Sequence, residues 1–436
     1  MRRLFVCAVL LASALVAQTA DDEIGSRNKA DRLEWFRDQG FGLFVHWSVD
    51  SQLGTVISHS LVGASDDYTK RFFTELPKTF NPRKFHPQDW AALAKLAGVK
   101  YVVFTAKHHS GFAMWDTPTT EFGINHTPYK KDIFADVMAA FREQNIAPGV
   151  YFSPDDFHWL HSNGVLVDRR RAETEPAKNP GLMALDKAQI RELLTKYGPM
   201  SVIFLDGPAV GLRETAWDTQ PEIVVTRGAM NTPEQNVPGQ SSDRPWEACI
   251  TIGTSWQYQP QNEHYKSGGE LISLLVQTRA RGGNLLLNVG PKPDGELPIE
   301  QEERLRELAL WMFVNGEAIY GVRPWVTTNE QNVWFTKKKD GDTLYAVVRE
   351  EWKRGQWKEF VLHSVRAGDR TEVTVLGQND RRLEYQEKID PKTTFRQEAD
   401  GLHIRAMRTQ RLQDNYQWPN PAVLKITHAQ PVSTGR

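Results

Sequence analysis

Apolar runs of strand length alternate with helical stretches between residues 29 and 314, at intervals of roughly 30 to 50 residues. Strands and helices that alternate in this way favour a parallel α/β barrel over a helix bundle or a β-sandwich. The predicted strands are residues 42–47, 101–105, 149–152, 201–206, 223–226, 249–252 and 284–289. We therefore predict an α/β fold, an irregular (β/α)8-like TIM barrel with about seven strongly marked strands.

The pattern changes near residue 322. Short runs of alternating polarity follow, separated by turn signals such as Lys339-Asp340-Gly341-Asp342, and no long helical stretch interrupts them. These runs are residues 333–336, 343–348, 360–362, 371–376, 402–404 and 422–426. The sequence thus predicts a barrel domain over residues 21–322 and a C-terminal antiparallel β-sandwich domain over residues 323–436.

The first 20 residues have the form of a secretory signal peptide. Arg2 and Arg3 precede an apolar run over residues 4–16, and the small residues Ala17 and Ala20 offer a cleavage site. The run is too short for a comfortable membrane span, which needs about 20 residues, and we expect no membrane anchor. We therefore predict an exported protein, periplasmic or secreted.

Charge and cysteine content narrow the range of partners. The chain has 53 basic and 54 acidic residues, so electrostatics gives no reason to expect nucleic acid or an anionic membrane as a partner. Removal of the signal peptide leaves Cys249 as the single cysteine, so no internal disulfide is expected. The composition carries no signal for an oligomeric state.

Polar side chains follow several of the predicted strands. Asp206 ends the strand over residues 201–206, His46 ends the first strand, and His108 and His109 follow the second. Because the carboxyl ends of parallel barrel strands meet at one rim, we expect these four residues to converge. The adjoining aromatic residues are expected to line the same site; they are Trp47, Trp115 and Tyr151.

Two kinds of hydrolysis suit such a rim. A metal site would use His46, His108, His109 and Asp206 as ligands, but adjacent residues on a strand point to opposite faces. His108 and His109 could therefore both face inward only if the strand has ended. Glycoside hydrolysis needs two carboxylates instead, and Asp206 supplies one of them. The candidates for the second are Glu247 and Glu263, which lie in later segments.

Six segments of the sequence follow one another in a characteristic order: Phe41-Gly42-Leu43-Phe44-Val45-His46-Trp47, Lys107-His108-His109-Ser110-Gly111-Phe112, Met114-Trp115-Asp116, Phe204-Leu205-Asp206-Gly207, Pro245-Trp246-Glu247 and Gly282-Gly283-Asn284-Leu285-Leu286-Leu287-Asn288-Val289-Gly290-Pro291. In these segments and their order the sequence resembles the retaining α-L-fucosidases of glycoside hydrolase family 29. The match extends over residues 29–325, nearly the whole predicted barrel.

The resemblance implies a distorted barrel followed by a β-sandwich, and exo-hydrolysis of terminal α-linked L-fucose from glycans with retention. It implies Asp206 as the nucleophile and no metal or other cofactor. Residues that fall where the family binds fucose hydroxyls are His46, His108, His109 and Tyr151. Phe44 and Phe204 fall where the family packs against the apolar side of the sugar.

The resemblance does not decide which of two glutamates is the acid/base. In this family the acid/base comes from a variable loop after the sixth strand, so Glu263 is preferred and Glu247 is second.

Many members carry a Gly-Glu-Trp-Tyr segment where this chain has Gly54-Thr55-Val56-Ile57-Ser58-His59, and His59 is expected to replace the missing Glu. The basic run Arg169-Arg170-Arg171 is predicted to lie on a solvated face.

Two further functional classes fit the same residues. The first is a non-catalytic carbohydrate-binding protein on the same scaffold, which the presence of Asp206 argues against. The second is a glycosidase that acts on a fucose-like sugar, which the changed segment over residues 54–59 would allow.

Overall fold

The computed structural model describes residues 25–169, 171–260, 263–412 and 420–432. The predicted signal peptide, residues 1–20, lies outside the described residues. Among the helices of the described ranges, none is long and apolar enough to cross a membrane.

A curled, seven-stranded parallel sheet forms the N-terminal part and confirms the predicted barrel-like architecture. In chain order its strands are β1 (Phe41–Val45), β2 (Tyr101–Lys107), β3 (Gly149–Phe152), β4 (Val202–Leu205), β5 (Val224–Val225), β6 (Glu247–Thr251) and β7 (Asn284–Val289). The spatial order is β5-β4-β3-β2-β1-β7-β6, and every strand residue is buried. The strands are apolar on both faces, as parallel strands covered by helices must be.

The edge strands β5 and β6 are not paired with each other in this sheet. The chain that follows β5 lies beside β6 instead, where Asn231 bridges to Trp246 and Glu234 bridges to Cys249. This irregular segment therefore stands on the open side of β6, where an eighth strand would complete a barrel.

Helices alternate with these strands, as predicted. They are α1 (Ala30–Gln39), α2 (Asp66–Thr79), α3 (Pro87–Leu96), α4 (Ile133–Glu143), α5 (Phe157–Ser162), α6 (Pro180–Lys196), α7 (Leu212–Thr219), α8 (Gly268–Ala280) and α9 (Ile299–Asn315). Some of them begin with a capping side chain: Ser267 and Glu270 form a capping box at α8.

Helix α2 lies between the first two predicted strands, in a stretch rich in polar residues, and it was not predicted; nor were α5 and α7. Its N-cap is Ser65, whose hydroxyl accepts from the backbone N–H of Tyr68, and it buries Phe72 and Phe73. Its apolar residues Tyr68, Phe72, Phe73 and Leu76 recur at helical spacing between charged residues, so the periodicity of the sequence would have revealed this helix.

The C-terminal part is built from short antiparallel sheets, as predicted for a sandwich. Its strands are β8 (Val322–Glu330), β9 (Val333–Lys338), β10 (Leu344–Val348), β11 (Trp357–Leu362), β12 (Val365–Arg366), β13 (Val373–Val375), β14 (Thr394–Glu398), β15 (Gly401–Met407), β16 (Ala422–Ile426) and β17 (Gln430–Pro431). The main sheets have the orders β13-β16-β10-β9-β8 and β11-β15-β14. Strand β14 was missed because its side chains are exposed, so it has no apolar alternation to reveal it.

Candidate active site

A narrow cavity of about 80 Å³ lies at the carboxyl end of the parallel strands. It is lined by residues from the ends of six strands and from the loops beyond them: Phe44, His46, His59, His108, His109, Tyr151, Arg169, Phe204, Asp206, Arg227, Glu234, Cys249 and Trp256. The convergence that parallel strands predict is therefore present in the fold.

Asp206 follows β4 directly and is held on both of its carboxylate oxygens. Oδ2 accepts a hydrogen bond from the Tyr151 hydroxyl at 2.6 Å, and Oδ1 accepts from Nη1 of Arg227 at 2.9 Å. Burial by itself would raise the pKa of Asp206, but the positive charge of Arg227, with contributions from the charge of Arg169 and the hydrogen bond of Tyr151, outweighs it. The pKa of Asp206 therefore lies well below its usual value, and the group is a carboxylate at any physiological pH.

His108 and His109 both line the cavity because β2 ends at Lys107, before the strand alternation can send them to opposite faces. Nδ1 of His108 lies 2.9 Å from Oγ of Ser58, and Nδ1 of His109 lies 2.5 Å from Oγ of Ser153. Each ring is therefore oriented by a hydroxyl and presents its Nε2 edge elsewhere. Nε2 of His109 lies 3.5 Å from Oδ2 of Asp206.

The cavity imidazoles are neutral near pH 7. Burial is the largest influence on each, and it lowers the pKa of His46 to about 4. Burial likewise holds the pKa values of His108 and His109 well below the ordinary value, and His59 is shifted in the same direction. Neutral imidazoles can both donate and accept hydrogen bonds, which suits the recognition of sugar hydroxyls.

Aromatic rings close the other walls of the cavity. Phe44 and Phe204 pack with ring centroids 5.0 Å apart, and Trp256 lies 5.1 Å from the His46 ring. Asn288 on β7 fixes this corner, since its amide donates to the backbone carbonyl of Trp256 and its Oδ1 lies 2.6 Å from Nδ1 of His46. The cavity thus offers one apolar side and one side rich in hydrogen-bonding groups.

Two arginines in the cavity were not among the predicted site residues. Arg227 stands just beyond β5 and could have been found by the same strand-end rule that found Asp206. Arg169 belongs to the basic run predicted to be solvated, but its Nε donates to Oδ2 of Asp155 at 2.7 Å and its side chain is one third exposed. Its neighbour Arg171 does face solvent, with its side chain 53% exposed.

Glu234 also lines the cavity and was not predicted. Nη1 of Arg227 donates to both Glu234 and Asp206, so one guanidinium nitrogen joins the two carboxylates. Two hydrogen bonds to one nitrogen place their acceptors no more than about 6 Å apart. Glu234 lies in the irregular segment beside β6, where no strand pattern marks it in the sequence.

The structure places Glu263 apart from this cavity. Its carboxylate accepts from the backbone N–H and the hydroxyl of Thr254, and it lines a second, larger cavity. Glu247 is fully buried at the start of β6, away from the carboxyl rim, where it accepts from the Tyr101 hydroxyl. The Tyr101 ring fills the space beside Gly42, where a Cβ atom would overlap it. The full burial of Glu247 and its hydrogen bond with Tyr101 identify it as a residue of the core.

Trp47 and Trp115 do not line the cavity either. Trp47 points to the opposite face from its neighbour His46 and packs against Phe80, Phe85 and Trp90. Trp115 is also fully buried in the hydrophobic core. Both rings were expected in the site, but they pack in the core instead. The indole that lines the cavity belongs to Trp256.

A metal ion fits poorly between His108, His109 and Asp206, although their ligand atoms lie within 4.8 Å of one another. Both oxygens of Asp206 already accept hydrogen bonds, and one donor is the Arg227 guanidinium. A divalent cation at this position would be repelled by that charge. The donor set therefore suits an organic ligand better than a metal.

The stability of the protein is expected to depend on pH through Glu247. Burial raises the pKa of Glu247 to about 7 from an ordinary value of 4.5, so folding favours its protonated form. This contribution is complete below pH 4.5 and is lost as the pH rises through 7, a change of about 3 kcal/mol. The melting temperature of the wild type should therefore fall between pH 5 and 8 by more than that of Glu247→Gln. Parallel curves for wild type, Glu247→Gln and the exposed control Glu372→Gln would contradict this role.

Comparison with known proteins shows to which family the sequence of this chain is similar. The sequence profile of the family described as alpha-L-fucosidase matches residues 8–317. The plasma alpha-L-fucosidase of Rattus norvegicus is 30% identical over 423 residues, which are 86% of this chain and 90% of that protein.

Solved structures show the same architecture. Alpha-L-fucosidase isoenzyme 1 from Paenibacillus thiaminolyticus superposes with a TM-score of 0.73 at 24% identity, covering 91% of this chain and 98% of the other. A Thermotoga maritima alpha-fucosidase in complex with a mechanism-based inhibitor superposes with a TM-score of 0.68 at 25% identity, covering 90% and 96%. This chain therefore belongs to the alpha-L-fucosidase family, a family of glycoside hydrolases.

Proposed function

We propose that this protein is an exo-acting, retaining α-L-fucosidase that releases terminal α-linked L-fucose from glycans. Family membership supports the substrate class. The observation that carries the mechanism is the bridge from Arg227 to the two carboxylates Asp206 and Glu234 within one cavity. Retaining glycosidases need two carboxyl groups about 5–5.5 Å apart, a spacing compatible with two acceptors on one nitrogen. The predicted signal peptide supports an exported location, periplasmic or secreted.

The reaction proceeds by two displacements. A carboxylate oxygen of Asp206 attacks the anomeric carbon of fucose, and the bond to the leaving oxygen breaks as Glu234 gives that oxygen a proton. The product of this step is a fucosyl ester of Asp206. Glu234, now a carboxylate, removes a proton from water, which attacks the same carbon and frees Asp206. The charge of Arg227 keeps Asp206 ionised and ready to attack.

Glu234 is the better candidate for the acid/base because of its position. It shares the cavity and a guanidinium partner with Asp206, whereas Glu263 lines the other cavity and Glu247 is enclosed in the core. At 42% exposure the Glu234 side chain can also meet a leaving group that enters from solvent. This assignment replaces the sequence-based preference for Glu263.

The remaining cavity residues bind the sugar in this proposal. His46, His108, His109 and the Tyr151 hydroxyl face the fucose hydroxyls, and His59 adds a ring near His109, with centroids 5.3 Å apart. The apolar side of fucose packs against Phe44, Phe204 and Trp256.

Turnover of an aryl α-L-fucoside tests the function. We expect nitrophenol release, with the α-anomer of fucose appearing first in a proton NMR time course, because two inversions give net retention. Activity should survive a chelator. Binding of fucose without turnover of any activated fucoside would favour the carbohydrate-binding alternative, and faster turnover of another aryl glycoside would favour a fucose-like substrate.

Arg169→Ala is expected to raise KM for an aryl α-L-fucoside by about 10- to 100-fold, the worth of one charge-assisted hydrogen bond to substrate. After burial, the charge of Arg169 is the next influence that lowers the pKa values of His59 and His109. Its loss should therefore move the acid limb of the kcat/KM profile to higher pH. Arg171→Ala, from the same basic run, is the matched control. Identical behaviour of the two variants would show that Arg169 has no role in the cavity.

A further inference from the structure

A second cavity, of about 900 Å³, lies on the same rim of the barrel. It is formed by residues 84–90 before and within α3, residues 258–260 and 263–265 after β6, and residues 292–302 around the start of α9. All three segments lie at the carboxyl end of the sheet, above β1, β7 and β6. These strands are neighbours in the sheet, so the second cavity lies on the side of the catalytic cavity that Trp256 closes.

The chain after β6 forms a wall between the two cavities. Trp256 lines the catalytic cavity, while Tyr258, two residues later, lines the second one. The wall is held from both sides, since the side-chain amide of Asn288 donates to the carbonyl of Trp256 and Pro260 packs tightly against Gly54. A substrate that projects from the catalytic cavity past Trp256 would therefore reach Tyr258.

The sizes of the two cavities suit different parts of one substrate. At about 10–15 Å³ for each water, the catalytic cavity holds roughly six waters, the scale of a single sugar ring. The second cavity lies within the range of 300–1,000 Å³ that is usual for ligand sites. We propose that it binds the saccharide to which fucose is attached, the leaving group of the reaction. This inference rests on the proposed fucosidase function.

The lining of the second cavity indicates which leaving groups it accepts. The half-buried rings of Tyr258 and Tyr265 offer flat apolar surfaces to the faces of sugar rings. Five carboxylates line the cavity against two lysines; the carboxylates are Asp89, Glu263, Glu296, Glu300 and Glu302. Both lysines are already engaged, because Lys84 and Lys292 each form ion pairs with Asp294 and Glu296.

This excess of negative charge selects against anionic glycans. A sialylated or sulfated leaving group would meet this excess of carboxylates, because the two lysines among the described lining residues are already paired. A neutral oligosaccharide would find aromatic faces and hydrogen-bond acceptors there. The cavity therefore makes the protein a fucosidase for neutral, rather than acidic, fucosylated oligosaccharides.

Tyr258→Ala tests the site when two substrates are compared. One is a neutral fucosylated oligosaccharide, and the other is α-L-fucosyl fluoride, whose leaving group is a single atom. We expect kcat/KM to fall roughly tenfold more for the oligosaccharide than for the fluoride, the scale of one lost aromatic contact. The 83% exposed Tyr385 provides the matched control, Tyr385→Ala, which should not change the ratio. An equal fall for both substrates would overturn the inference.

Charge reversal provides a second measurement that does not depend on Tyr258. The double variant Glu300→Lys with Glu302→Lys should raise kcat/KM for a sialylated oligosaccharide relative to its neutral counterpart by several-fold, and added salt should weaken the gain. An unchanged ratio would show that the anionic group does not enter the second cavity. If the wild type fails to cleave even fucosyl fluoride, the proposed function itself fails. If the wild type cleaves fucosyl fluoride but the kcat/KM ratio between the two substrates is unchanged in both variants, the assignment of the second cavity is wrong and the proposed function stands.

Discussion

Replacement of Asp206 by Gly is expected to lower kcat/KM for aryl α-L-fucosides by at least about 10⁴-fold, as the loss of a nucleophile does in other hydrolases that form covalent intermediates. Tyr151 and Arg227 hold the carboxylate of Asp206 in the cavity, and its replacement removes the group that attacks the anomeric carbon. The melting curve should remain cooperative, because the side chain lies at the rim and not in the core.

Added azide should partly restore the Asp206→Gly variant. Azide would attack the anomeric carbon directly, and one displacement gives the β-fucosyl azide, opposite in configuration to the substrate. The exposed Asp218→Gly variant serves as a control for a carboxylate loss elsewhere. Near-normal activity of Asp206→Gly, or an α-configured azide from it, would show that Asp206 is not the nucleophile.

Replacement of Glu234 by Ala should slow cleavage of natural glycans by about 10²- to 10⁴-fold, the usual contribution of a general acid. Fucosyl fluoride, whose leaving group needs little protonation, should be affected much less in the first step. Azide would intercept the fucosyl-enzyme in place of water and give the α-fucosyl azide, since two displacements retain configuration.

The comparison with Glu263→Ala decides between the two glutamates. We expect Glu263→Ala to show no azide rescue, because its carboxylate is held by Thr254 and lines the second cavity. Rescue in Glu263→Ala but not in Glu234→Ala would identify Glu263 as the acid/base. Glu234 would then serve only to hold Arg227 against Asp206.

Residues that end a strand were predictable because their position follows from local pattern alone. The strand runs mark where β1, β2 and β4 end, and parallel strands bring their ends to one rim. His46, His108, His109 and Asp206 were found in this way, and all four line one cavity. The same rule applied to β5 would have found Arg227.

Residues on loops were not predictable by this rule. Arg169 and Arg171 belong to one basic run, yet one lines the cavity and the other faces solvent. Glu234 reaches Arg227 only because the chain after β5 lies along β6 in place of a strand. A loop residue's neighbours depend on contacts with distant parts of the chain, which leave no periodic pattern in the sequence.

The sequence by itself determined the order of the strands in the barrel, the parallel sheet followed by antiparallel sheets, and the identity of the strand-end residues. Hydrophobic periodicity is a local property, and it is sufficient for these features. Tertiary structure alone decided that Trp47 and Trp115 belong to the core, that Glu247 is enclosed beside Tyr101, and that Glu234 shares a guanidinium with Asp206. These assignments depend on which surfaces meet when the chain folds, and such contacts join residues that are far apart in the sequence.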